Sequence, residues 1–293
     1  MRGFSHVPVL ADELTTACLP LDSGLFVDGT VGGGGFARGL MEKAGGNLRL
    51  LGLDIDPHAI EAASKQLAPF EGRFTLIRRS YSELREVLTM VGVNQAAGMA
   101  LDLGISSDQL DAQDGFSFHR NTPLDMRMNP DLGVTAGQLV EFLSANELAT
   151  VLGRYGEMKG AGRLAGALKD SRKKGRLETT FDLARAVRDA LPRSGNRTVA
   201  ATFQALRIAV NTELENLAKF LADAPSMLAV EGVIGIISFH SLEDRLVKQA
   251  FRRLSADGDY EQGTRKPVMA SAEELQRNSR ASSAKLRWIR RVK

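Results

Sequence analysis

Asp28, Asp54 and Asp102 each stand at the end of a short apolar run, and the first of them opens the stretch "DGTVGGGG" (28–35). A carboxylate is an acceptor-only group with a negative charge, so three gathered in one place suit a ligand bearing hydroxyls and positive charge. Glycine loses more backbone entropy on folding than any other residue, and four in succession call for something that lies close to the bare backbone. Gly32, Gly34 and Ala37 also fit G-x-G-x-x-G/A, with an acid about 20 residues on, the spacing of a dinucleotide fingerprint. Against a pyrophosphate stands Asp28, an acid immediately ahead of the loop. The sulfonium and ammonium of S-adenosylmethionine (SAM) fit three carboxylates better than the phosphates of NAD. Each Asp taken singly is also explained as the N-cap of the next helix. Taken together they point to a SAM site, with Asp28, Gly32 and Gly34 around the ligand and Asp54 on its ribose hydroxyls.

Such a site needs strands that end at one sheet edge. "GLFVD" (24–28), "LRLLGLD" (48–54), "RFTLIRR" (73–79) and "AAGMALDLG" (96–104) read as strands, and helical patterns fall between them. Apolar throughout, these strands suit a parallel sheet covered on both faces, with right-handed crossovers. The rhythm breaks from about Ser107 to Thr198, where the patterns are helical. A long three-to-four periodicity begins at Thr202, and "GVIGIISF" (232–239) resumes the sheet. The expectation is an α/β, Rossmann-like fold with a mainly parallel sheet and an inserted helical domain: residues 1–106 and 201–293 form the first domain, the latter with a basic C-terminal tail, and 107–200 the insertion.

Composition is that of a globular chain: 293 residues, 43% hydrophobic and 25% charged. One cysteine, Cys18, excludes an internal disulfide framework and fits a reducing, cytoplasmic compartment. The first residues lack the apolar core of a signal peptide, and no run has the length of a membrane span, so no membrane partner is expected. Four scattered histidines offer no metal-ligand spacing. The net charge is only +3, but "LKDSRKKGRLE" and the tail from Arg280, which holds the only tryptophan, Trp288, are strongly basic. Such runs are commonly solvated faces; two of them with an aromatic raise a polyanion as partner.

"HVPVL" (6–10), "DGTVGGGG", "LDLGISSDQLD" (101–111), "GFSF" (115–118), "PLDMRM" (123–128), "RYGE" (154–157), "TFQALRIAVNTEL" (202–214), "SFHSLEDRLVK" (238–248) and "SAKLR" (283–287) follow one another along the chain. In this the sequence resembles the bacterial 16S ribosomal RNA cytosine-N4 methyltransferases, the RsmH or MraW family, from His6 to about Arg287. The resemblance implies a class I SAM-dependent enzyme that methylates the exocyclic N4 of a cytidine in the decoding centre (P site), with 16S rRNA of the small ribosomal subunit as partner. It further implies cofactor contacts from Gly34, Gly35, Phe36, Asp54, Tyr81, Asp102 and Gln109. Tyr81 reads equally as a ring against the adenine or as edge packing.

An aromatic amine is a weak nucleophile, so N4 must be held in line with the methyl while an acceptor draws on its hydrogen. Asp102 is the first candidate for that acceptor or for a partner of the SAM ammonium. His240 is the second, beside its reading as a structural residue ahead of a helix that Ser241 and Glu243 cap and begin. Asn211 reads as reaching the cytosine edge or as a capping residue. Arg127, Arg163, the Lys173–Arg176 run and the tail are candidates for phosphate contacts. Two rivals stand beside this reading. One is an NAD(P)-binding oxidoreductase on the glycine fingerprint; the other is a non-catalytic ribosome-assembly factor of the same fold, drawing on Phe36 and the segment after Glu157, where the family pattern is not kept. The oligomeric state is not legible in these residues, and a homodimer stays open.

Overall fold

The computed structural model describes residues 9–105, 114–131, 133–193 and 195–293. The chain divides into two compact units, Met1–Gly104 with Leu214–Lys293, and Ile105–Glu213. No helix among the described residues is long and apolar enough to cross a membrane.

The first unit is built on a seven-stranded sheet: β1 (Ser23–Asp28), β2 (Asn47–Asp54), β3 (Phe74–Arg78), β4 (Ala96–Asp102), β5 (Leu228–Ser238), β6 (Tyr260–Gln262) and β7 (Lys285–Arg291). The order is β3-β2-β1-β4-β5-β7-β6. β1 to β5 pair in parallel, and β7 runs antiparallel to both β5 and β6. This is the expected α/β, Rossmann-like class I methyltransferase architecture. The strand order reverses between β1 and β4, and ligands of open parallel sheets bind outside the carboxyl ends at such a reversal.

Seven helices belong to this unit among the described residues: α1 (Ala11–Cys18), α2 (Gly35–Lys43), α3 (Pro57–Leu67), α4 (Leu84–Met90), α10 (Glu213–Asp223), α11 (Ser241–Ala256) and α12 (Ala272–Arg277). Both faces of the sheet are covered, which is why the parallel strands are apolar without alternation. Val27, Leu51, Met99 and Leu101 pack with α4, α10 and α11. Phe26, Leu50 and Ala100 pack with α1, α2 and α3.

The second unit carries α5 (Ala136–Phe142), α6 (Ala145–Gly156), α7 (Ala161–Lys173), α8 (Thr180–Ala190) and α9 (Gly195–Asn211). Reciprocal caps start three of them: Thr135 with Gln138, Ser144 with Glu147, and Thr179 with Asp182. The long periodicity from Thr202 does not form one helix. Thr212 takes a left-handed conformation, φ 48°, which ends α9 at Asn211 before α10 begins at Glu213.

The C-terminal segment is a strand rather than a basic arm. "KLRWIRR" forms β7, and Leu286 and Ile289 are fully buried. Arg287, 7% exposed, donates to Asp244 at 2.7 Å and 3.4 Å. Arg291 donates to the Leu228 carbonyl at 2.6 Å. A side chain at Gly263 would collide with the Trp288 indole, so the only tryptophan is packed within the fold.

Candidate functional site

Register brings the three aspartates to one place. Asp28 lies beside Gly52 of β2 and Ala100 of β4, and Asp54 and Asp102 stand two residues further along those strands. Neighbouring strands are about 4.8 Å apart, and a two-residue step keeps side chains on one face. The carboxylates of three adjacent strands therefore share one face at the carboxyl edge, next to the strand-order reversal.

The loop after β1 ties them together. Asp28, 2% exposed, accepts from the Thr30 N–H at 3.1 Å. The Thr30 hydroxyl accepts from the Asp102 N–H at 2.7 Å. Asp54 accepts from the Gly32 N–H at 3.0 Å and from the Asp56 N–H at 2.9 Å. Asp56, in turn, caps α3 by accepting from the His58 N–H. Asp102 differs from its companions: its buried Oδ1 has no hydrogen-bond partner among the described residues.

Burial pushes all three carboxyls up. Asp28 rises to about 7, with the Thr30 N–H pulling down and the Asp54 charge adding to the rise. Asp54 rises to about 6, moderated by the N–H groups of Asp56 and Gly32. Asp102 rises to about 8, and the charges of Asp28 and Glu243 add to the effect of burial. No lysine or arginine of the described residues lowers any of them. Such a cluster is a deficit of positive charge, and the orphaned Asp102 oxygen marks where an N–H donor fits. The residues present therefore suit a cationic ligand such as SAM and oppose a pyrophosphate.

The glycines serve backbone shape first. Gly32 and Gly34 have φ of +51° and +85°, the left-handed region open to glycine, and Gly34 is the N-cap of α2. Gly29, which sequence reasoning passed over, has the tighter constraint: a Cβ there would come within 2.4 Å of Leu101 and 2.9 Å of Tyr81. Gly35 begins α2, and the Phe36 ring packs towards Phe26, centroids 6.1 Å apart. Tyr81 comes shortly after β3 and stands edge-on to Phe220 at 5.9 Å. Gln109 lies outside the described residues.

His240 is the N-cap of α11, where the sequence suggested Ser241 for that place. Its Nδ1 accepts from the Glu243 N–H at 3.3 Å, and its buried Nε2, 3.1 Å from Glu243 Oε1, has no hydrogen-bond partner among the described residues. Glu243 Oε2 accepts from the N–H groups of Phe239 and His240. Glu243, 2% exposed, is thus both a helix cap and a buried charge acting on Asp102. Its place three residues into the helix revealed only the cap.

In the helical unit, Asn211 Oδ1 accepts from the Met128 N–H at 2.8 Å, and Nδ2 donates to the carbonyls of Met126 at 2.7 Å and Arg207 at 3.0 Å. Its amide thereby fastens "PLDMRM" to the end of α9. Arg127 donates to both oxygens of Asp125 and to the Pro130 carbonyl. These are internal duties, and the Arg127 guanidinium is largely spent on them. Arg163 is exposed on α7.

The MraW methylase family description matches residues 3–292. A protein named Ribosomal RNA small subunit methyltransferase H from Sorangium cellulosum is 44% identical over 99% of this chain and 92% of its own. One of the same name from Heliobacterium mobile is 41% identical over 99% of each chain. Among solved structures, a putative rRNA methylase from Clostridium thermocellum covers 97% of this chain and 93% of its own at TM-score 0.47 and 12% identity. With its sheet order, its acidic strand ends and a match over nearly its whole length, the chain belongs to the MraW methylase family.

Proposed function

We propose that the chain transfers a methyl group from SAM to the exocyclic N4 of a cytidine in the P site of 16S rRNA. The observation that carries the SAM half is the set of buried, mutually repelling carboxylates on β1, β2 and β4, with the orphaned Asp102 Oδ1 among them. The rRNA half draws on the relatives' shared name, Ribosomal RNA small subunit methyltransferase H.

SAM supplies an electrophilic methyl on a sulfonium. The chain's own residues bind, orient and handle the proton. Asp54 has lone pairs left for ribose hydroxyls after its two N–H bonds. Gly34, Gly35 and Phe36 border the ligand, with Asp28 and Gly32 behind the loop, and Tyr81 lines the adenine end; Gln109 is a further cofactor contact by resemblance to the family. Asp102 accepts from the SAM ammonium or from the N4 amine. His240, whose Nδ1 lone pair is taken by the Glu243 N–H, stands at the start of α11 and leaves acceptance of the proton to Asp102. Asn211 serves the reaction by holding the 126–128 loop, and the inserted helical unit recognises the RNA. The small ribosomal subunit in the cytoplasm is the setting.

Mass spectrometry of 16S rRNA nucleosides from cells with and without this protein tests the reading. An N4-methylated cytidine that disappears with the protein is expected; an unchanged nucleoside profile overturns it. Calorimetric titration separates the oxidoreductase rival, with heat expected from SAM and none from NAD. Tritium transfer from labelled SAM to small subunits excludes a non-catalytic assembly factor.

A further inference from the structure

The basic run in mid-chain splits into two parts with different duties. Lys169 donates to the carbonyls of Val140, Glu141 and Leu143, so it satisfies the end of α5. Arg172 donates to Glu141, to Glu178 and to the Leu177 carbonyl. These two cations therefore tie together the C-terminal ends of α5 and α7 and the N-terminal end of α8. Beyond them, Lys173, Lys174 and Arg176 are exposed. The ends of α5 and α8 that Arg172 bridges carry the most exposed phenylalanines among the described residues, Phe142 at 68% and Phe181 at 48%.

An exposed aromatic alone means little, since apolar atoms make up much of any protein surface. Two of them on helix ends fixed against a cationic run are a different arrangement. Among the neighbouring acids, Glu141 and Glu178 share the single charge of Arg172 and Asp182 pairs with Arg185, which leaves one acidic charge beside the run. Asp170, exposed one turn back, offsets a single charge. Rings for base faces beside ammonium and guanidinium groups for phosphates are the two components of single-strand recognition.

We propose that the joined ends of α5, α7 and α8 form a docking surface for single-stranded RNA, with bases stacking on Phe142 and Phe181 and phosphates held by Lys173, Lys174 and Arg176. This rests on the rRNA reading and deepens it by naming where the strand outside the reacting nucleotide is held. A folded protein partner would use the rings as apolar contacts and is the alternative that the test separates.

The experiment measures fluorescence anisotropy of a labelled single-stranded oligoribonucleotide, about a dozen bases long, with the full-length chain over a range of salt. Phe142→Leu with Phe181→Leu is expected to weaken binding about tenfold or more, and the tyrosine pair to restore it, because stacking needs a ring. Lys173→Gln, Lys174→Gln and Arg176→Gln together are expected to flatten the salt slope by about 2, from roughly 0.7 per phosphate contact on a single strand. Calorimetry with SAM should give the wild-type affinity for every variant, which also shows that the fold is kept. Unchanged RNA affinity in both sets overturns the proposal, as does a wild-type chain that does not bind the RNA. So does a leucine pair that binds RNA normally but fails on small subunits, which would assign the rings to a protein. None of these outcomes touches the nucleoside test: a wild-type chain that leaves rRNA cytidines unmethylated overturns the reaction reading whatever the anisotropy shows.

Discussion

Asp102 gathers the most electrostatic tension into one side chain: a buried oxygen without a donor among the described residues, two acidic neighbours, and a carboxyl raised to about 8. Asp102→Asn keeps the shape and removes the charge. A charge-assisted hydrogen bond to a ligand is worth roughly 1.5–3 kcal/mol, so SAM affinity in the variant is expected to fall by about tenfold or more. Stability should move the other way. Between the ordinary aspartate range and about 8, the folded state keeps a proton that the unfolded chain has released, so this group's contribution declines as pH rises. The variant lacks that decline, and thermal melts should show its advantage over wild type growing from pH 5 to pH 8.5. A variant less stable than wild type at pH 8.5 would mean that the carboxylate holds the fold rather than the ligand. These aspartates were legible in the sequence because one residue type recurs at three strand ends. Glu243 was not, since a glutamate three residues after an N-cap is already explained by the cap, and only folding shows that its charge reaches Asp102.

At the scale of elements, the parallel strands were legible because burial on both faces writes them as unbroken apolar runs. β7 was hidden for the opposite reason: four of the seven residues in "KLRWIRR" are cationic, and partners that neutralise them, Asp244 and Glu231, are far away in sequence. Arg287→Ala would leave Asp244 short of its closest partner in a largely buried place, at a cost of about 3 kcal/mol, to be read from urea denaturation. An arginine reserved for RNA would give no such loss. The break at Thr212 was equally silent, since a threonine with positive φ has no sequence signature, and the periodicity on both sides is helical. Asn211, one residue earlier, is where that break meets "PLDMRM". Asn211→Ala removes three bonds to backbone groups and should destabilise the helical unit by about 1–3 kcal/mol while SAM affinity stays within error. A loss of SAM affinity equal to that of Asp102→Asn would instead put the amide in the cofactor site.

On the scale of the molecule, a chain with a net charge of +3 keeps an uncompensated acidic pocket within its sheet edge. Its three carboxyls, at about 6, 7 and 8, sit above the ordinary aspartate value in the folded state. In the ligand-free protein their contribution to stability is greatest near pH 4 and is lost progressively up to about pH 8, as folding comes to require ionised groups out of water. A bound cation reverses the preference, favouring the ionised forms and expelling protons. SAM affinity should therefore rise between pH 6 and pH 7.5, with net proton release measurable by calorimetry in two buffers of different ionisation enthalpy. The thermal shift produced by saturating SAM should be larger at pH 8 than at pH 6, because the ligand then relieves repulsion that protons relieve at lower pH. S-adenosylhomocysteine, which lacks the sulfonium charge, isolates the cause: its affinity should climb less steeply over the same range. Proton uptake on binding SAM, or equal slopes for the two ligands, would mean that the carboxylates recognise hydroxyls and amines alone, and that the positive sulfur is held by something other than this cluster.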